Sequence, residues 1–486
     1  MRLDEYAAYD GIGLATLLAK GEVTPHDLGR CVTEGVAALN PQLNAVVELY
    51  EDAIAVLPHA AGAAPFHGLP TLTKDFPIEA GRPAEFGSRL AMGHRARHDA
   101  VFWSRLRAGG LLNIGRTASS EFGIAAATET RLYGATRNPW DRTRGVAGSS
   151  GGAAAAVAAG MVPFAQGSDG GGSIRTPASF CGVIGLKPSR GRITGSPGAN
   201  APLLGIAIAF MLTRSVRDTA LLLDLCHGPD AGDGYEITRP AMPYTRAIER
   251  APSGLRVALC TTSWSGYPVD PEIIAAVEAT GRQLQSLGHH VETASPDFDY
   301  EPYLAAQKVI WAAENAASLP ALARILGRPI DETTLGSTVL ALHRYGLTVS
   351  GAQLVDALEV YDTVTRQVGR FMSGYDLLLT PTCAALPEEI GTYDPSRPGL
   401  TVDDVFADLA PKETFSALFN ATGLPAISLP LGQSVSGLPI GLQFIANFGG
   451  EDILLALARV LEGDLAGKSG AWPARPPLHV GNLSRI

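Results

Sequence analysis

The sequence predicts an α/β fold, a mixed β-sheet covered by helices, and three observations carry that prediction. Helix-like and strand-like segments alternate along most of the chain. No period of about 20–50 residues recurs, which removes solenoids and arrays. Of the 486 residues, 46% are hydrophobic and 18% charged, a globular composition with apolar matter enough for a large core.

The elements follow in order. Thr24 before Pro25 starts a helix reaching Leu39, because threonine can cap and proline suits the first turn. Asp99–Ala108 reads as a helix stopped by Gly109-Gly110, and LLNIG at Leu111–Gly115 as a short buried strand. A helix over Ala153–Ala159, a strand over Met161–Ala165 and a helix from Val216 into Leu225 continue the pattern. LRVALC (Leu255–Cys260) is a strand, and Pro271–Leu287 is an amphipathic helix after Asp270. DLLLTPT at Asp376, PAISLPLG at Pro425 and LPIGLQFIA at Leu438 supply three late strands, and EDILLALARVLE closes with a helix. Residues from Tyr300 to about Gly374 are mostly helical by periodicity, with no sharp linker on either side. The expected organisation is therefore one domain over residues 1–486. Its catalytic core spans about 65–230, a helical elaboration about 300–374, and the last strands and helix return to the core.

Formal net charge is −10 and lysines and arginines form no long run, which excludes the electrostatic footprint of a nucleic-acid binder. The start, MRLDEYAAYDGIG, lacks the parts of a secretory signal, and LLGIAIAFML (Leu203–Leu212) falls short of the ~20 residues of a membrane span. A soluble cytoplasmic protein is expected. Cys31, Cys181, Cys226, Cys260 and Cys383 stand singly, as buried free thiols would. His94 and His98 in HRARH lack accompanying ligands, so neither a metal nor a cofactor is expected.

Three neighbourhoods look chemical. In QGSDGGGSIRTP (Gln166–Pro177) a strand-like VPFAQ runs into three glycines, a serine and a helix-forming SIRTPASFCG. Glycines allow close backbone approach, so the N–H groups of Gly170, Gly171, Gly172 and Ser173 could converge where a tetrahedral oxyanion forms. A tight strand-to-helix turn with a capping serine fits the same residues. A serine nucleophile needs a base, and none of His227, His289, His290, His343 or His479 sits in a catalytic setting. Lysine is the alternative. Lys74 ends the apolar-leaning GLPTLTK, where desolvation would lower its pKa, but taken on its own a pair with an acid such as Asp75 at a strand end is the favoured reading. GSSGG (Gly148–Gly152) matches a nucleophile elbow with Ser150 at its centre, but polar, turn-rich NPWDRTRGVAG precedes it where that elbow needs a buried strand. Ser149 can instead relay a proton between a lysine and a second serine.

These residues resemble the amidase signature family. The resemblance runs through GLPTLTKDF, GATRNPWDRTRGVAGSSGGAAAAVAAG, VPFAQGSDGGGSIRTPASFCGVIGLKPSRGRIT, RSVRDTALLLD, NATGLPAISLPLG and GLPIGLQFIA, and so spans most of the chain. It implies the family's α/β fold, a large twisted mixed sheet with helices on both faces. It also implies a Ser-cisSer-Lys triad with Ser173 as nucleophile, Ser149 as bridging serine and Lys74 as base. The 24-residue separation of Ser149 and Ser173 is the one the signature keeps, which favours Ser149 over Ser150. Gly170, Gly171, Gly172 and Ser173 would form the oxyanion hole, with Asp169 and Arg175 bracing the loop. Three positions depart from the pattern: Ala147 for glycine, Ser168 for threonine and Gly170 for a larger residue.

The implied activity is amide hydrolysis through a seryl acyl-enzyme. RARHDAVFWSRLRAGG, GSDGGGSIR and the tail GAWPARPP are most similar to the branch of 6-aminohexanoate-cyclic-dimer hydrolase and aryl-acylamidase-like enzymes. That branch implies linear or cyclic amide substrates, with esters or carbamates also open, and no macromolecular partner beyond a homodimer. Specificity is expected in the helical section after Tyr300 and in the irregular SPGANAPLLG loop. An amidotransferase A subunit and a non-catalytic binding protein of the same fold are the alternatives.

Overall fold

The computed structural model describes residues 1–199, 201–234, 236–469 and 475–485. Most of the GAWPARPP tail, and Asn200 of the SPGANAPLLG loop, lie outside the described residues. Thirteen strands occur among them: β1 (Val46–Leu49), β2 (Leu69–Lys74), β3 (Leu111–Thr117), β4 (Glu129–Thr130), β5 (Gly134–Ala135), β6 (Phe164–Asp169), β7 (Ile184–Lys187), β8 (Ile208–Thr213), β9 (Arg256–Leu259), β10 (His290–Thr293), β11 (Leu377–Pro381), β12 (Ala426–Gln433) and β13 (Pro439–Ala446). All but β4 and β5 join one eleven-stranded sheet in the order β1-β3-β2-β6-β8-β7-β12-β13-β11-β9-β10.

The sheet is mixed. β2 runs parallel to β3 and β6, the run from β6 through β8, β7, β12 and β13 to β11 is antiparallel, and β9 and β10 are again parallel. β2 and β13 are buried at every position, as strands covered on both faces are, while β10 is mostly exposed at the edge. β2 pairs with β6 at Leu72↔Ala165. Lys74, the last residue of β2, stays against β6, its N–H donating to Gln166 Oε1 at 3.0 Å.

Capping chemistry places the helices. Thr24 accepts from the Asp27 N–H at the start of helix Pro25–Leu43, Ser215 accepts from Asp218 N–H before Val216–Cys226, and Asp270 accepts from Glu272 N–H before Pro271–Ser286. The last buries Ile273, Val277, Gly281 and Leu284, one face of a 3.6-residue period. Helix Gly151–Ala158 is buried at all eight positions, because it is a core helix beneath the sheet. A Cβ on Gly152 would stand 2.4 Å from Ala118 N, so only glycine fits there.

One sequence expectation shifts. The strand expected over Met161–Ala165 begins at Phe164: the Met161 N–H still closes the preceding helix on Ala156 O, and Pro163 has no N–H to give a ladder. The apolar LLGIAIAFML contains β8, whose start is hidden by Leu203 and Leu204, both in the left-handed region at φ 49 and 54. The section after Tyr300 forms helices Tyr300–Leu326, Ser337–Gly346 and Gly351–Met372. Tyr303 and Ile310 of the first pack with Tyr361, Val364 and Val368 of the third. None of the helices of the described residues is long and apolar enough to cross a membrane.

Candidate active site

Lys74 is 1% exposed, and its Nζ lies 2.6 Å from Ser149 Oγ, 2.9 Å from Ser168 Oγ and 3.1 Å from Ser150 Oγ. The Phe76 ring covers it at 4.6 Å. Its hydrogen-bond partners are all hydroxyls. Asp75, the neighbour that could have neutralised it, instead accepts from Arg116 Nη1 at 2.7 Å, from Tyr133 Oη at 3.1 Å and from the N–H groups of Glu85 and Gly87. Burial therefore dominates, and it pushes the lysine down to about 7 even though the charges of Asp169 and Asp75 act the other way.

Ser149 follows a cis peptide bond from Gly148, and Ala147 before it takes φ 56. Gly148 is wedged against the 125–127 backbone, where a Cβ would meet Ala125 O at 2.6 Å. Ser150 caps the buried helix and is itself fully buried. It takes the Ser168 N–H at 3.2 Å and donates its hydroxyl to Ser168 O at 3.2 Å. No strand leads into Ser150: residues 136–150 carry only the isolated bridges of Arg137 and Arg144, so the elbow geometry is missing.

β6 delivers Asp169 and then the glycine loop, which turns into helix Arg175–Cys181. None of the N–H groups of Gly170, Gly171, Gly172 and Ser173 donates to another described residue, although this stretch is buried. The carbonyls, by contrast, are held. Ser416 Oγ donates to Gly171 O at 2.6 Å, Thr176 N to Gly172 O at 2.7 Å and Ser150 N to Ser173 O at 3.2 Å. The last bond brings Ser173 against the Ser149–Ser150 segment. Gly172 sits at φ 144 with Ser416 Oγ 2.3 Å from where its Cβ would be, so a side chain there is excluded twice.

Gly170 has its space filled by others: a Cβ would meet Trp311 Cη2 at 3.1 Å and Leu203 Cδ2 at 3.3 Å. The missing side chain leaves room for a tryptophan from helix Tyr300–Leu326. Gly171 faces Glu413, whose Oε2 would be 2.4 Å from a Cβ. Desolvation, with Asp169 beside it, pushes the Glu413 carboxyl up to about 8. Sequence reading singled out neither Trp311 nor Glu413, since both reach the loop from more than 130 residues away. Ser168 was visible only as a departure from threonine, and a period of two from Gln166 would have put it on the side of β6 that meets Lys74.

Asp169 and Arg175 are both fully buried and form a bidentate pair, Nε to Oδ2 at 2.9 Å and Nη2 to Oδ1 at 2.8 Å. The other guanidinium N–H groups donate to Ser416 O, Gln443 Oε1 and Asn420 Oδ1 at 2.6–2.9 Å. All five donors of the arginine are engaged, which leaves none for a substrate carboxylate. Burial alone would raise Asp169, but the Arg175 charge and its hydrogen bonds hold the carboxyl at about 2. No group of three or more metal-ligating side chains occurs among the described residues.

A family model described as Amidase matches residues 30–455. The chain is 37% identical to 6-aminohexanoate-cyclic-dimer hydrolase of Paenarthrobacter ureafaciens, with 96% of each chain covered. Its fold is similar to a solved structure of 6-aminohexanoate cyclic dimer hydrolase, with a TM-score of 0.90, 34% identity and coverage of 97% and 99%. A bacterial aryl acylamidase structure follows with a TM-score of 0.83, 26% identity and coverage of 94% and 96%. The chain belongs to the amidase signature family and is an amide-hydrolysing enzyme.

Proposed function

We propose that the protein hydrolyses a carbon–nitrogen amide bond through a seryl acyl-enzyme, with Ser173 as nucleophile, Ser149 as relay and Lys74 as base. The observation that carries this reading is a buried lysine whose ammonium meets only hydroxyls, one of them Ser149 at 2.6 Å. Held near 7, Lys74 is neutral in a large fraction of molecules at neutral pH and can accept a proton. It takes the Ser149 proton as Ser149 takes that of Ser173, and the Ser173 oxygen attacks the substrate carbonyl. The free N–H groups of the 170–173 loop are available to the oxyanion.

Collapse of the tetrahedral intermediate expels the amine, which receives the proton back along the same chain. Water, its proton taken through Ser149 by Lys74, attacks the acyl carbonyl, and as the bond to Ser173 breaks that proton returns through Ser149 to the Ser173 oxygen and the acid leaves. Asp169 and Arg175 touch no substrate in this scheme and act as positioning residues for the loop. Substrates are linear or cyclic amides, a class supported by the cyclic-dimer hydrolase and acylamidase relatives, and the acyl-enzyme route also admits esters and carbamates.

The test is intact-protein mass spectrometry after brief exposure to a fluorophosphonate or a p-nitrophenyl ester. A single adduct is expected in the wild type, absent in Ser173→Ala, formed about 10²–10⁴-fold more slowly in Ser149→Ala and little affected in Ser150→Ala. An adduct that survives Ser173→Ala and vanishes in Ser150→Ala overturns the assignment, and no adduct at all favours a binding protein.

A further inference from the structure

A chamber of about 470 Å³ adjoins the site. Lys74, Ser149 and Ser173 do not line it, and it meets the site at Phe76, Gln166 and Ser168, the last 2.9 Å from Lys74 Nζ. Most of its wall is apolar, with Phe76, Ile78, Phe102, Ile193, Ile206 and Ile208 among the lining residues.

Lys187 breaks that pattern. It ends β7, is 2% exposed and lines the chamber. Its Nζ donates to Pro188 O at 2.8 Å and to no other acceptor among the described residues, although an ammonium carries three N–H groups. The carboxylates nearby are committed elsewhere. Asp169 is held by Arg175 and Asn420, and Glu451 by Arg192 and the Ser189 N–H. Asp233, the acidic residue of the lining, accepts from Thr194 Oγ1 and the Asp230 N–H. Arg190 stands in the same wall, donating to the carbonyls of Gly205, Asn420 and Ala421, and Arg97 adds a further positive charge to the lining. Burial, with the Arg175 charge beside it, pushes Lys187 down to about 7 although Asp169 and Glu451 act the other way, and a carboxylate bound in the apolar chamber would hold its ammonium form.

We propose that this chamber is a second small-molecule site, one that takes a carboxylic acid with a medium-length apolar body, its carboxylate on Lys187 and its chain along the isoleucine and phenylalanine wall. Such an acid could be the product of the enzyme's own reaction or one formed elsewhere. The chemistry of recognition is shared.

The experiment is calorimetric titration of the full chain after its reactive serine has been blocked with a fluorophosphonate. Octanoate is expected to bind at one equivalent, octanamide about tenfold or more weakly, and octylamine not at all. Lys187→Met should weaken octanoate by about tenfold or more, and Ala209→Phe, which fills the chamber, should do the same without touching a charge. If Lys187→Met does not fold, Ala209→Phe decides alone. Failure of octanoate to bind, equal binding of octanamide, or wild-type binding in the folded variants overturns the proposal. Repeating the titration with the acid released from the amide substrate tells the two sources apart. Should the serine resist the phosphonate, the acyl-enzyme reading fails, while the same titration on unblocked protein still judges the chamber.

Discussion

Lys74 and Arg175 are both cations buried to within 1% of completely, both reach the same short stretch of β6 and its loop, and they are treated in opposite ways. Arg175 receives a bidentate carboxylate, two amide oxygens and a backbone carbonyl, so its charge is fully answered. Lys74 receives three hydroxyls, and the carboxylate next to it in sequence is turned toward Arg116. The difference separates scaffold from reactivity. Arg175, answered on every side, fixes geometry, whereas Lys74, without a carboxylate partner, is the group that the proposed mechanism uses as proton acceptor.

Removing the arginine should break the comparison most. In Arg175→Met, Asp169 remains buried beside Asn420 without its counter-ion, and a loss of about 3–5 kcal/mol in urea unfolding is expected. Asp169→Asn combined with Arg175→Met should recover part of that stability while activity stays low, because the loop has lost its brace. A loss below about 1 kcal/mol in the single variant would mean that the arginine is ornamental.

Lys74→Met should move stability the other way. The folded pKa is depressed, so between about 7 and 10.5 the unfolded chain holds a proton that the folded chain lacks. Stability from this group therefore falls as pH drops through that window, by about 1.4 kcal/mol per unit, and falls no further below about 7. At pH 7 the methionine variant should be inactive yet about 2 kcal/mol more stable after its lost hydrogen bonds are counted, with the gain fading toward pH 10.5. In the wild type, kcat/KM should rise as pH passes about 7, the sign expected of a base that must be neutral. A flat profile there would place the working proton elsewhere.

The smallest effect sharpens the frame around Ser149. Ala147 occupies the left-handed region at φ 56, which costs a residue with a Cβ about 1 kcal/mol, but its methyl packs with Phe180 and Cys383. Ala147→Gly should change the melting temperature by only a few degrees in either direction and leave acylation rates within about twofold.

Short-range physics was the legible part of this molecule. Thr24 with Pro25, Ser215 and Asp270 announce helix starts because a cap and its target lie within a few residues, and the neighbourhoods of Lys74, Ser149 and Ser173 stand out as chemical, although only the family resemblance gives those residues roles. What the sequence hid acts over distance. That Asp75 belongs to Arg116 rather than Lys74 depends on how β2 and β3 register, and that Gly170 is small because Trp311 is large depends on a helix 141 positions later. β8 was hidden for a local reason, two leucines with φ above zero that no propensity scale favours.

The partners of Arg175 come from late in the chain: Ser416, Asn420 and Gln443 all emerge from the ribosome some 240 to 270 residues after it. A nascent chain therefore carries Lys74, Ser149 and Ser173 long before it carries the groups that fix the loop around them. Termination between Ser173 and Ser416 leaves a chain with Lys74, Ser149 and Ser173 but without the groups that hold Arg175. On the proposed mechanism, such a layout confines hydrolytic activity to finished molecules.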